Sequence, residues 1–253
     1  MIDALVLAGS PNNGALSSCS KAAYEAMITI GDKLMVQYVI EAIRKCGQIN
    51  RVAIVGPRND LAKYINEDDH IMLINHGSEL TENVLLGLNR LPGSKRVLLF
   101  TSDIPLITHI AIEDFIMQCE KVEADLYYPI VPREVIEKRY AYCNRTYVSL
   151  KEGAFTGGNM FMFNPGIIEE CMPRGQKLVE ARKSPIKLCR IVGIMFLIKF
   201  LMRNITLKEA QTKVSRLLGI HGQVVISMYP EVGVDVDKPS DLDLVNAYLG
   251  LAQ

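Results

Sequence analysis

The chain has 253 residues with 28 basic and 28 acidic side chains, so it carries no net charge, and 49% of it is hydrophobic. That length allows one large or two small domains around a substantial core. The charge balance argues against a dedicated nucleic-acid binder, which would carry a basic excess.

The opening segment, "MIDALVLAG", has an acid at position 3 and no basic stretch. It reads as a strand at 4–8 rather than a secretory leader. Further strands are predicted at 51–56, 71–74, 96–100 and 124–131. Most are near-continuous in Val, Ile and Leu, as in strands covered on both faces. Helices are predicted between them. Residues 32–47 place Met35, Val36, Val39, Ile40 and Ile43 on one face and end at Gly47. Residues 80–91 and 109–122 behave similarly. This alternation predicts an α/β sandwich with a largely parallel sheet.

Strands are expected at 147–150 and 159–163, with "TGGN" between them as a turn or loop. Residues 166–219 then read as a run of helices. Ser184-Pro185 starts one of them, and Thr206 with Glu209 forms the capping box of another. The apolar run Ile191–Met202 contains Lys199 and falls short of the ~20 residues a membrane span needs. It reads as a buried helix, with a helix lying at a membrane surface as the alternative. A strand at 223–229 and a helix at 240–249 close the chain. The expected organisation is one domain, 1–253, with a helical insertion at about 166–220. Six cysteines and four histidines form no zinc-site spacing, and the cysteines read as reduced core residues of a cytoplasmic protein.

Two acidic segments carry the chemistry. In "LLFTSDIPLIT" a buried strand delivers Asp103 at its carboxyl end, and Pro105 prevents a helix from starting at once. Ligands of open α/β sheets bind at that end, and a carboxylate there suits Mg²⁺. Equally, Asp103 suits the cap of a turn. In "GVDVDKPSDLDLV", Asp235 and Asp237 are two apart and project to one side of an extended segment, ahead of a helix opened by Pro239 and Ser240. Such a pair repels itself unless a cation or donor lies between. A solvated strand end is the alternative.

In order along the chain, "LVLAG", "AMITIGDKLMVQYVIEAI", "TSDIPLIT", "TGGNMFMFNP" and "VDVDKPSDLDLV" resemble the MobA-like nucleotidyltransferases. The resemblance implies a Rossmann-like (GT-A type), mixed but mainly parallel sheet in a three-layer α/β/α sandwich. It implies transfer of NMP from an NTP to a small phosphorylated acceptor, with release of pyrophosphate and Mg²⁺ as cofactor. Neither nucleic acid nor membrane is an expected partner. By position, Asp103 would hold Mg²⁺, and Asp237, with Asp235, would supply the second carboxylate. Leu7, Ala8, Gly9, Ser10 and Asn12, together with Ser102, would meet the nucleotide. Gly77 and Ser78 would meet its base through backbone groups, or Ser78 or Thr81 would simply cap the next helix. Read from the residues themselves, Gly157, Gly158 and Asn159 would approach the acceptor or form a hairpin turn, and Lys187 and Arg190, three apart on one helix face, would bind its phosphate or form a solvated face.

The opening loop departs from the family's L-A-G-G-x-G-x-R. Ser10 replaces the second Gly, Pro11 has no N–H to offer, and the Arg position falls near Gly14. A later Pro-Lys aligns with Tyr24-Glu25. Lys21 is the candidate replacement cation, and Asn12, Asn13 and Gly14 are candidates for a backbone nest at positive φ. Three readings follow: an active nucleotidyltransferase, a nucleotide-binding protein of that fold with little transfer activity, or a sugar-nucleotide-dependent glycosyltransferase.

Overall fold

A computed structural model describes residues 2–141, 143–181 and 191–251. Strands β1 (Ile2–Leu7), β4 (Ile49–Gly56), β5 (Ile71–Asn75) and β6 (Val97–Thr101) form the parallel half of a nine-stranded sheet, in the order β5-β4-β1-β6. The other half holds β10 (Met160–Phe163), β7 (Leu126–Pro132), β9 (Gly153–Gly157), β8 (Val148–Leu150) and β11 (Gly222–Ile226). Among the described strands of this sheet, only β9 and β10 run against the common direction. The expected Rossmann-like fold, mixed and mainly parallel, is the fold of this chain.

Period-two alternation sends neighbouring residues of each central strand to opposite faces. Val6, Ile54, Leu98 and Phe100 pack under α1 (Met35–Lys45) and α4 (His109–Cys119). Leu5, Val55, Val97 and Leu99 pack with Val84 of α3 (Leu80–Leu88) and Ile168 of α6 (Ile168–Ala181). Both faces are therefore apolar, which is why the strands read as continuous runs. The five predicted core residues of the first long helix are all buried. Cys46, Cys119, Cys143 and Cys171 are buried as free thiols, and Cys19 is exposed.

Several boundaries differ from expectation. Helix α1 starts at Met35, not Asp32, because Gly31 takes φ 63° and turns Thr29–Ile30 (β2) onto Lys33–Leu34 (β3). The Gln37 side chain then accepts from the Leu34 amide at 2.8 Å. Two short helices, α2 (Arg58–Leu61) and α5 (Arg133–Arg139), have no counterpart in the sequence reading. Strand β9 was likewise not anticipated. Because β9 and β10 both run antiparallel to β7, they lie end to end along it, and Gly157–Gly158 is a continuation rather than a hairpin. Strand β11 stops at Ile226, although the Ser227 amide still reaches the Ile130 carbonyl at 2.8 Å.

Between β10 and β11 the described residues carry α6, α7 (Ile194–Leu201) and α8 (Leu207–Leu218) and no strand. The Thr206–Glu209 capping box forms as predicted. Helix α9 (Pro239–Tyr248) opens on Pro239. The predicted Ser184-Pro185 helix start lies outside the described residues. Among the described residues, no helix is long and apolar enough to cross a membrane.

Candidate active site

The carboxyl ends of the parallel strands meet the chain's closing segment at one place. Leu7 pairs with Thr101 in register, so Ala8–Gly9 and Ser102–Asp103 leave the sheet side by side. The 235–237 segment joins them through a 2.8 Å bond from the Val236 amide to the Asp103 carbonyl. Carboxylate oxygens of Asp103, Asp235 and Asp237 consequently lie within 4.8 Å of one another.

The electrostatics are unfavourable without a cation. Burial pushes the Asp103 carboxyl up to about 7, Asp235 and Asp237 add to the rise, and the Thr101 hydroxyl pulls it back. Oδ1 of Asp103 is buried with no hydrogen-bond partner. Burial and the neighbouring Asp235 likewise raise Asp237 to about 6. An orphaned buried oxygen among convergent carboxylates is a donor set that fits a hard divalent ion. The residues present thus fit the Mg²⁺ that the sequence pattern implies.

Arg145 is the member of this cluster that sequence reasoning missed. Its side chain, 7% exposed, bonds both the carboxylate and the backbone carbonyl of Asp235 and lies 3.7 Å from Asp241. Asp241 in turn accepts from the amides of Asp237 and Lys238 at 3.1 and 3.2 Å, capping α9. So Asp235 is partly neutralised from behind, while Asp103 and Asp237 face the cluster without a basic partner of their own among the described residues. Arg145 sits 90 positions from its partner in a loop with no motif, and no local signal marks it.

The opening loop folds differently from a nest. Pro11 bridges Tyr24, the Asn12 amide donates to the Ala23 carbonyl and the Asn13 amide to the Pro11 carbonyl, both at 2.9 Å. The only described non-glycine residue at positive φ is Arg203, and Gly14 is extended at φ −92°. The amides of Asn12 and Asn13 therefore serve the fold rather than pointing at an anion. The Asn12 side chain holds Ser20 and Ala22 at 3.1 and 2.9 Å, so Lys21, itself exposed, rides on a stretch tied to this loop.

Gly9 packs against His76, where a Cβ would sit 2.9 Å from the histidine Cβ and 3.0 Å from the first ring carbon, Cγ. That contact brings the first loop to the Gly77–Ser78 loop, and His76 stacks edge-on to Tyr24 at 5.2 Å. The Gly77 amide donates to Asn83 and the Ser78 amide to Glu82, both at 2.7 Å. Those backbone donors are thus already used within α3. Ser102 is buried beside Asp103. Asn159 accepts from Thr101 at 3.1 Å and donates to Val232 at 3.0 Å, while Gly158 donates to Pro129 at 2.8 Å. This knits the glycine pair to the strand end that bears Asp103. Lys187 and Arg190 lie outside the described residues.

Known proteins share this fold. The chain is 32% identical to a hypothetical transferase from Thermus thermophilus, with TM-score 0.82, over 96% of this chain and 100% of that one. It shares the fold of 4-diphosphocytidyl-2C-methyl-D-erythritol synthase from Anaerococcus prevotii (13% identity, TM-score 0.59, 99% and 96% covered). It also shares that of a CMP:2-keto-3-deoxy-manno-octonic acid synthetase solved with CTP (11%, 0.65, 98% of each chain). No curated protein matches it. Residues 4–167 match the model of one family, and with the ordered carboxylates and the sheet order they place the chain in the MobA-like NTP transferase domain family.

Proposed function

We propose that the protein transfers a nucleoside monophosphate from an NTP to a small phosphorylated acceptor, releasing pyrophosphate, with Mg²⁺ held by Asp103, Asp235 and Asp237. The convergence of those three carboxylates around an unpartnered buried oxygen carries this reading. The family supports the reaction class. When bound, the ion would supply charge neutralisation for the triphosphate oxygens.

The chain's own residues do the positioning. Leu7, Ala8, Gly9, Ser10, Asn12 and Ser102 border the nucleotide, and the Gly77–Ser78 loop adjoins them through the contact of His76 with Gly9. Gly157, Gly158 and Asn159 present the acceptor, and Lys21 is the cation available from the opening loop. Arg145 orients Asp235 and holds the closing segment in place. The inward-turned amides of Asn12 and Asn13 favour a second reading, nucleotide binding with slow transfer.

Thermal melts with each of the four NTPs, with Mg²⁺ or with chelator, test the site. One NTP should raise the midpoint only with metal, and Asp103→Asn should abolish that metal dependence. Pyrophosphate release on adding acceptor separates transfer from binding alone. An NTP response indifferent to both Mg²⁺ and Asp103→Asn would sink the assignment.

A further inference from the structure

The second half of the sheet carries a cavity that the positioning scheme above leaves unused. It lies between β7 and β11 on one side and α7 and α8 on the other, with a volume of about 630 Å³. That is the scale of a small-ligand site. Its wall is nearly all hydrocarbon, with Tyr128, Phe155 and Phe161 from the sheet and Phe196, Phe200 and Leu217 from the helices. The polar groups at its edge already pair with one another: Gln211 donates to Gln223 at 3.2 Å, and Gln223 donates to the Val224 carbonyl at 2.8 Å. Such a wall recognises a flexible apolar chain.

One end of the cavity borders the acceptor side of the site at Gly157. Its lining includes Thr156 and Gly157, where a Cβ on Gly157 would overlap the Tyr128 hydroxyl. Gly158 and Asn159 follow directly, and the Asn159 carbonyl accepts from Thr101, two residues before Asp103. At the outer side, Phe196 and Lys213 are shared with a second hollow of about 460 Å³ that also bears Lys208, Arg216 and the Lys199–Glu209 ion pair. An apolar interior that ends beside the acceptor groups is complementary to an amphiphile with a hydrocarbon tail.

We infer that the acceptor is a phosphate monoester of a long apolar alcohol, with its tail in this cavity and its phosphate beyond Gly157, toward Asp103. The inference rests on the nucleotidyltransfer reading for the reaction and on the cavity for the tail. An oxygen of the acceptor phosphate forms the new bond to the α-phosphorus of the NTP. The bond from that phosphorus to the α,β-bridging oxygen breaks, and pyrophosphate leaves with the electron pair. The attacking phosphate is already an anion, so no proton has to be removed from it.

The test titrates alkyl phosphates, from ethyl to dodecyl and below their micelle concentrations, onto the full chain by calorimetry. Wild type is compared with Ala210→Trp, which adds bulk at a lining position of α8. Affinity should rise by up to about fourfold per methylene in the wild type and stay flat in the variant. Flat affinity in both, or a rise that survives Ala210→Trp, overturns the inference. Should the variant not fold, dodecyl phosphate with a terminal diazirine is photo-crosslinked to wild type. Adducts on β7, β11, α7 or α8 support the proposal, and adducts elsewhere overturn it. Light scattering that shows a second copy covering this face, with no alkyl chain bound, overturns it too. Mg²⁺-dependent NTP binding on the same samples distinguishes the two failures. An NTP response without chain-length dependence removes only the tail site, whereas chain-length dependence without an NTP response removes the transfer reading.

Discussion

The Val236 amide donates a 2.8 Å hydrogen bond to the Asp103 carbonyl, across 133 positions of sequence (236 minus 103). Val236 is itself buried against Leu16, Met35 and Val245. That anchoring presents the flanking Asp235 and Asp237 beside Asp103. The carboxylates are close because an apolar side chain and a backbone bond hold them so, against their mutual repulsion.

The repulsion has a signature in metal-free protein. The folded-state pKa of Asp103 is raised from 3.8 to about 7, so the native state binds its proton more tightly than the unfolded state. Stability should therefore fall as pH rises from about 4 to about 7. Asp103→Asn should raise the melting midpoint by several degrees at pH 8 and change it little at pH 4, measured with chelator. Added Mg²⁺ should stabilise the wild type and not the variant. Equal midpoints at pH 8 would contradict the account.

Arg145→Met should be among the more damaging single changes. It strands the buried Asp241 carboxylate and the half-buried Asp235 carboxylate, and loss of one partner of a buried pair costs about 3–5 kcal/mol. Arg145→Lys should recover only part of this, because an ammonium cannot bridge the Asp235 side chain and carbonyl together. Denaturant titration of both variants measures the difference, and full recovery by lysine would refute the bridging role.

Gly157→Ala should destabilise by about 1–3 kcal/mol through overpacking against the Tyr128 hydroxyl. In a Tyr128→Phe background the same change should cost clearly less, since the obstructing oxygen is gone. A double-mutant cycle reads the coupling, and strict additivity would show that the clash is relieved elsewhere.

Asp3 should behave opposite to Asp103. Burial pushes its carboxyl up, but hydrogen bonds from Arg51 and Ser94 outweigh this and hold it below the usual carboxylate range. The group ties β1 to β4 through the Arg51 amide at 3.0 Å and the Arg51 guanidinium at 2.6 Å. Its contribution is present above the ordinary pKa and is lost as pH falls. Asp3→Asn should lower the melting midpoint at pH 7 and much less at pH 3, as followed by circular dichroism.

Local signals were enough for much of the fold. Met35, Val36 and Val39 mark a helix face, Pro239 and the Thr206–Glu209 pair mark helix starts, and "VLLF" marks a strand buried on both sides. Each is a short-range matter of period, capping or backbone restriction, and each is readable from neighbouring residues. Tertiary structure alone decided the rest. Strand β9 exists because β7 offers it a partner, and the opening loop closes because Ala23 and Pro11 supply carbonyls. Arg145 matters because a chain reversal delivers it to Asp235. Pairings across many tens of residues leave no periodic trace, because their stability comes from partners that folding brings together. The residue types of the carboxylate site were therefore written in the chain, but their meeting point was set by how the sheet and the closing segment pack.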